Sequence, residues 1–216
     1  MRLYLSSFRL GNQPRNLVEL VGDKKHAAVI VNACDLFSEG ERESKVEQEI
    51  GALQSLGFNG VELDLRRFSR SGQRHQELYE FLGNCGLVWV RGGNPFILRR
   101  AMSASGFDEV IRNLLRHDAL VYSGYSAGIS VITPSLHGVE LVDDPCRVPQ
   151  GYDPTIIWDC LGVIPYYVAP HYKSDHPESA AVDKTVQHYI DHHMLFKALR
   201  DGEAIVMNGE RDEIVS

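Results

Sequence analysis

The sequence is poor in the features that would assign it to several broad classes. It has no apolar run long enough to span a bilayer, so a membrane role is not expected. The opening M-R-L-Y-L-S-S-F-R-L is not a signal peptide, because its apolar stretch is too short and Arg9 interrupts it. Cysteine is scarce: Cys34, Cys85, Cys146 and Cys160 form no C-x-x-C pair and are too few for a disulfide scaffold, which points to a reducing, cytoplasmic setting. Positive charge is in deficit, with 22 Lys and Arg against 29 Asp and Glu and a net charge of -7, and this argues against general nucleic-acid binding. The local cluster Arg66, Arg67, Arg70 and Arg74 reads as a solvated helix edge. Phosphate loops are missing too: there is neither G-x-G-x-x-G nor G-K-[ST]. No repeat, low-complexity tract or linker divides the chain, so residues 1–216 are expected to form one domain.

What is present is an alternation of apolar stretches and amphipathic ones. Strands are expected at Arg2–Ser6, Ala27–Val31, Val61–Leu65, Gly86–Val90, Ala119–Tyr122, Leu161–Val168 and Glu203–Met207, with strand character again near Glu213–Ser216. Helices are expected at Asn12–Val21, Glu41–Leu56, Gln73–Leu82, Phe96–Met102, Phe107–Arg116 and Ala180–Leu199. The A-A-V-I-V and G-L-V-W-V runs are apolar throughout, as strands buried on both faces are. Alternating strands and helices imply βαβ units and a mostly parallel sheet covered on both sides. Pro134–Cys160 breaks the pattern with four prolines and the pair Asp143-Asp144, and reads as long loops.

Chemistry concentrates first in G-Y-S-A-G, where Ser126 sits between an apolar strand and a segment able to start a helix that Pro134 would end. This is the G-x-S-x-G pattern of a nucleophile elbow. A serine hydroxyl must be exposed, oriented and paired with a base to attack a carbonyl. A sharp strand-to-helix turn supplies the exposure, and Gly124 and Gly128 remove side chains where the two elements pass closely. The amide of Ala127 at the helix start suits a developing oxyanion.

His171, in A-P-H-Y, follows an apolar strand and is the expected base; His176 is the reserve. Gly92-Gly93-Asn94 follows another buried strand and precedes a helix, with Asn94 as N-cap and Pro95 in the first turn. Its two glycines let backbone N–H groups approach a ligand, and it is the expected second half of an oxyanion site. The acid in an order Ser–His–acid is Asp201 in L-R-D-G-E, with Glu203, Asp159 and Asp175 as alternatives. The order Ser–acid–His of an α/β-hydrolase esterase would use Asp153 or Asp159 instead. A further alternative is a binding protein without turnover. His188 and His192 share a helix face at i, i+4, a spacing able to hold a metal, but no other ligand pattern supports a metal site and none is expected. No organic cofactor is expected either.

Taken together and in order, V-R-G-G-N-P-F, G-Y-S-A-G, A-P-H-Y and L-R-D-G-E-A resemble the peptidase E family, which includes α-aspartyl dipeptidase and, more distantly, cyanophycinase. The resemblance runs from about Val29 to Met207. It implies a three-layer α/β/α fold akin to the class I glutamine amidotransferases, which carry Cys where this chain has Ser126. It implies a triad of Ser126, His171 and an acid, a glutamate in peptidase E where this chain has Asp201, and an oxyanion region lined by Gly92, Gly93 and Asn94. The implied activity is that of a serine exopeptidase on short peptides, including dipeptides with an N-terminal aspartate. The run H-Y-K-S-D-H-P-E-S departs from peptidase E, so the aspartate preference does not follow from the resemblance. Arg91 and Lys173 are the cations placed to read such a side chain, but the favoured reading of each is a solvated loop charge. Tyr152 and Trp158, in the 134–160 loops, are placed to limit the site to short substrates. A homodimer is compatible with a chain of this size, since small C2 dimers are common.

Overall fold

The structure is a computed structural model and describes residues 1–216. The chain up to Tyr125 supplies five strands: β1 (Arg2–Ser6), β2 (His26–Ile30), β3 (Asn59–Glu62), β4 (Leu87–Val90) and β5 (Val121–Tyr125). They lie parallel in the order β3-β2-β4-β5-β1. Two later strands extend the sheet beyond β1. β8 (Ala204–Asn208) pairs antiparallel with β1, and β9 (Arg211–Val215) antiparallel with β8. Between β5 and β8 the chain leaves this sheet and builds a separate parallel pair, β6 (Tyr167–Ala169) and β7 (Phe196–Ala198).

The period-two alternation of a strand sorts the buried side chains onto two faces. Leu3, Leu5, Ile30, Val88, Val90 and Tyr122 pack with α3 (Gln73–Gly83), α4 (Pro95–Ser105) and α5 (Phe107–Arg116). Tyr4, Val29, Leu87, Trp89 and Val121 pack with α1 (Pro14–Val21) and α2 (Glu39–Gln54). The result is the expected three-layer α/β/α arrangement on a mostly parallel sheet. Burial stabilises each large apolar side chain by roughly 1.5–3 kcal/mol. It is what holds helices this short, which would be marginal alone. No helix is long and apolar enough to cross a membrane.

Several elements end elsewhere than the sequence suggests, for local reasons. α2 begins at Glu39 because the Glu41 carboxylate accepts from both the N–H and the hydroxyl of Ser38, a capping box about two turns upstream of the apolar stripe. β3 stops at Glu62, since Asp64 instead caps a 3₁₀ turn over Leu65–Arg67. The stretch Leu161–Tyr166 is not a strand. Leu161, Gly162 and Val163 donate to the carbonyls of Val131, Thr133 and Ile132, which places Leu161 and Ile164 in the core as a loop. The helix after Ser126, α6, spans only Ala127–Ser130 and ends before Pro134. α7 covers Ser179–Asp191, not Ala180–Leu199. His193 takes a left-handed φ of 53°, and the following Phe196 and Ala198 alternate as strand residues against Val182, Val186 and Tyr189. The Arg66–Arg74 cluster is not a helix edge either: Arg66 and Arg67 lie in the 3₁₀ turn, and only Arg74 is in α3.

Candidate active site

Three neighbouring parallel strands, β4, β5 and β1, end on the same side of the sheet, where open α/β sheets build their sites. Each delivers one part. β4 leads to Gly92-Gly93-Asn94, β5 to Ser126 and β1 to Ser7. Ser126 has φ 51° and ψ -118°, a strained conformation for a residue with a side chain. The glycines around it explain how the turn fits. A Cβ at Gly124 would lie 2.4 Å from the Val90 carbonyl oxygen, and one at Gly128 would lie 2.2 Å from the same atom. Gly92 faces the serine so closely that its Cβ would lie 2.9 Å from Ser126 Cβ. Ser126 is half-buried, while its neighbours in β5 and α6 are buried, so the turn holds this side chain outward.

The Gly92–Asn94 turn is fixed from both sides. Asn94 accepts the N–H groups of Phe96 and Ile97, and Pro95 opens α4, as expected. Its side-chain amide also donates to the Asp144 carbonyl at 3.1 Å. Behind the turn, Arg91 pairs with the buried carboxylate of Glu49 at 3.0 Å and donates to the Gly92 carbonyl at 3.1 Å. Trp89 and Tyr125 donate to the two oxygens of the same carboxylate, at 2.8 and 2.7 Å. Arg91 is therefore a fixed ion-pair partner beneath the turn and not a solvated loop charge. Lys173 is exposed and lies over the Tyr172 ring.

The small sheet brings the other two side chains together. Register pairs Ala169 of β6 with Ala198 of β7, and Tyr172 N–H donates to the Leu199 carbonyl beyond them. His171 and Asp201 therefore leave parallel strands at the same end, and Nδ1 of His171 lies 2.7 Å from Asp201 Oδ1. Glu203 is not at this position. Its carboxylate accepts the Arg200 N–H at 2.7 Å and closes the turn before β8. Neither Asp153, which accepts the Thr155 N–H, nor Asp159, which bridges to Ser135, reaches His171. The imidazole is buried, and burial with His176 alongside holds it below its ordinary pKa despite Asp201. His176 stacks on His171 with ring centroids 3.7 Å apart and planes 8° apart, and Phe8 meets both rings edge-on. With Glu178 the two histidines bring ring nitrogens and a carboxylate within 4.8 Å. Lone pairs in parallel stacked rings do not converge on one ion, so the stack is a poor metal site. His188 and His192 also lie against each other, but Nδ1 of His192 is occupied by the His188 carbonyl.

Ser7 is the residue that sequence reasoning missed. It is fully buried, and its hydroxyl donates to Asp201 Oδ1 and accepts from the His171 N–H, both at 2.8 Å. Its carbonyl accepts the Ser126 N–H at 3.2 Å. One side chain and one carbonyl thus link all three segments. The signal in the sequence is slight: a pair of serines directly after the first strand.

Ser126, Ala127 and His171 border one narrow cavity of about 30 Å³, whose far wall holds Asp143, Glu178 and Thr185. Ser126 Oγ makes no hydrogen bond to His171, and bonds of this kind commonly form only when substrate tightens the site. No Lys or Arg lines the cavity. The Asp143 carboxyl is pushed up to about 7 by burial and by Glu178. Of the 134–160 segment, Val139, Val142 and Asp143 border this cavity; Tyr152 donates to Asp35 elsewhere, and Trp158 stacks on His137.

A serine on a strained strand-to-helix turn, a buried histidine bonded to an aspartate and a double-glycine turn facing the serine, all at one edge of a mostly parallel sheet, form the arrangement of a serine hydrolase site. Comparison with known proteins narrows this. The model of peptidase family S51 matches residues 17–215, and the chain belongs to that family. A probable alpha-aspartyl dipeptidase of Drosophila melanogaster is 29% identical over 167 residues, covering 74% of this chain and 62% of that protein. Peptidase E of Streptomyces coelicolor is 28% identical over 166 residues, covering 74% and 61%. This chain thus matches about three fifths of the length of those relatives. A crystal structure of a putative peptidase E from Listeria monocytogenes EGD-e shares the fold, with a TM-score of 0.81 over 99% of this chain and 97% of the other at 23% identity.

Proposed function

We propose that the protein is a serine exopeptidase that hydrolyses short peptides with a free N-terminus. Ser126 attacks the scissile carbonyl from its elbow. Nε2 of His171 takes the hydroxyl proton and returns it to the leaving amine. Asp201, on Nδ1, holds the imidazole in the tautomer this requires and stabilises its charged form. The Ala127 amide and the Gly92–Gly93 turn receive the oxyanion. The observation that carries the reading is the 2.7 Å contact of His171 with Asp201 at the border of the cavity that holds Ser126.

The charge of the cavity supports a substrate class. Asp143 and Glu178 are the two carboxylates on a lining that carries no Lys or Arg, and they suit the ammonium group of a peptide N-terminus. A side-chain carboxylate would need a fixed cation, ideally a bidentate arginine. Arg91 is committed to Glu49, and the lining supplies no other. We therefore do not extend to this chain the aspartyl preference in the name of the Drosophila relative. The narrowness of the cavity favours short substrates. Its chemistry uses protein groups alone, and the setting proposed is the cytoplasm.

A dipeptide panel tests this: Ala-X, Asp-X, the same peptides N-acetylated, and p-nitrophenyl acetate, with wild type and Ser126→Ala. The expected result is turnover of free dipeptides, lost by at least ~10³-fold in the variant, with Ala-X preferred to Asp-X and acetylated peptides poor. Asp-X as the sole substrate would overturn the charge argument. Ester turnover alone would favour an esterase. Equal rates in both proteins would leave Ser126 structural and the fold a binding scaffold.

A further inference from the structure

Away from this site, adjacent arginines on α4 are treated very differently. Arg99 and Arg100 are both 3% exposed, and Arg42 is the third buried arginine of the chain. Arg99 makes a bidentate pair with Asp108, at 2.9 and 2.8 Å. Arg42 is paired with Asp35 and Glu62, at 2.7 and 2.6 Å. Arg100 has no carboxylate. Its Nε donates to the Thr155 carbonyl, and its Nη2 to the carbonyls of Pro145 and Pro154. Its Nη1 is shielded from solvent and has no acceptor at all. Three carbonyls satisfy hydrogen bonds without balancing the charge, and Asp153 acts on the guanidinium only through space, without a direct ion pair; a buried charge so poorly paired is expensive. Arg112, which also donates to two carbonyls, is exposed, and water screens it.

Arg100 borders a cavity of about 460 Å³, a volume suited to a small organic molecule. The cavity shares no residue with the one beside Ser126. Arg70 opens onto it, exposed and without an ion pair, and Arg66 stands beside it already matched to Asp64. The one carboxylate on the lining, Asp153, is held by the Thr155 N–H. Phe68, Ala101 and Ile157 supply an apolar wall.

We propose that this cavity is a second binding site, for a small organic anion whose carboxylate or phosphate group pairs with the exposed guanidinium of Arg70 over the buried positive charge of Arg100, and whose apolar part lies on Phe68, Ala101 and Ile157. Charge-assisted bonds from a guanidinium fork suit either group. The anion displaces no existing partner of Arg70, and it adds to the single negative charge that Asp153 brings to this lining.

Calorimetric titration of the full chain with phenyl phosphate, phenylacetate and inorganic phosphate tests the site. Saturable binding of an aromatic anion at one site is expected, tighter than inorganic phosphate and weakened by added salt. Phenyl phosphate against phenylacetate tells which head group is favoured. Arg70→Gln, at an exposed position, should weaken binding by about 10-fold, and Arg100→Gln, which acts through charge alone, by less. Ala104→Phe, on the exposed rim, should block the cavity without touching either arginine. Ser126→Ala should bind like wild type. If Arg100→Gln does not fold, the Arg70 and Ala104 variants still decide. Absence of binding by all three probes at millimolar concentration, or binding indifferent to Arg70→Gln and Ala104→Phe, would overturn the proposal.

Discussion

The cavity beside Ser126 and the cavity beside Arg100 differ in sign and share one segment of chain. Asp143 closes the first, and Gly151, Tyr152, Asp153 and Thr155 line the second, so the stretch from 143 to 155 contributes to both. The first presents Asp143 and Glu178 with no cation; the second presents Arg66, Arg70 and Arg100 with one occupied carboxylate. The carbonyls of Asp144 and Pro145 are held by Asn94 and Arg100, at the N-cap and in the middle of α4. The difference teaches that this loop acts less as a cover than as a partition. It gives an acidic wall to a site proposed for an ammonium group and leaves a basic wall to a site proposed for an anion.

The harshest way to break the comparison is to remove the chemistry from the first cavity alone. Asp201→Asn should lower kcat by about 10²–10⁴-fold, because the imidazole loses its orienting carboxylate. Ser7→Ala, which frees both Asp201 and the His171 backbone, should cost about 10-fold or more through misplacement. Glu203→Gln should stay within a few-fold, since Glu203 serves the turn and not the histidine. Equal losses for Asp201→Asn and Glu203→Gln in steady-state assays would undo the assignment.

These expectations separate what the sequence made legible from what it hid. The central strands and their helices were legible because burial on both faces leaves continuous apolar runs, as in A-A-V-I-V and G-L-V-W-V. Ser126, His171, Asp201 and the Gly92–Asn94 turn were legible as residue types beside apolar stretches, and the geometry brings them to one edge. The edge itself was not. His171 and Asp201 are aligned by the small β6–β7 pair, whose three-residue strands lie within stretches that read as a longer strand and a longer helix. Ser7 acts through contacts 164 and 194 residues away in sequence, which no local pattern encodes. Asp143 and Arg100 owe their interest to charge removed from water without a direct ion-pair partner, a property of three dimensions alone.

A gentler test sharpens the contrast through pH. Asp143 has a folded pKa of about 7 against an ordinary 3.8. The fold therefore favours its neutral form, and the stability this contributes is present at low pH and lost as pH rises through about 7. Asp143→Asn should raise Tm above pH 7 and leave it unchanged near pH 4. Its effect on catalysis runs the other way. The ionised form attracts an ammonium, so kcat/KM for free dipeptides should fall below pH 7 in wild type, and KM should rise about 10-fold in Asp143→Asn. In that variant the remaining acid limb belongs to His171 and should lie below the ordinary histidine value of 6.5. An unchanged profile in Asp143→Asn would mean that the acidic wall does not read the substrate. The smallest effect is expected from the second cavity: Arg70→Gln should leave dipeptide hydrolysis within about twofold of wild type, as suits a residue that contacts no reacting group.

The central claim is that Ser126 is a nucleophile activated by His171 and Asp201. Time-resolved labelling with a fluorophosphonate, read by intact mass and peptide mapping, tests it most directly. The account predicts one adduct per chain, on Ser126, absent in Ser126→Ala and at least ~10²-fold slower in Asp201→Asn. No adduct on Ser126, or labelling at the same rate in Asp201→Asn, would contradict it.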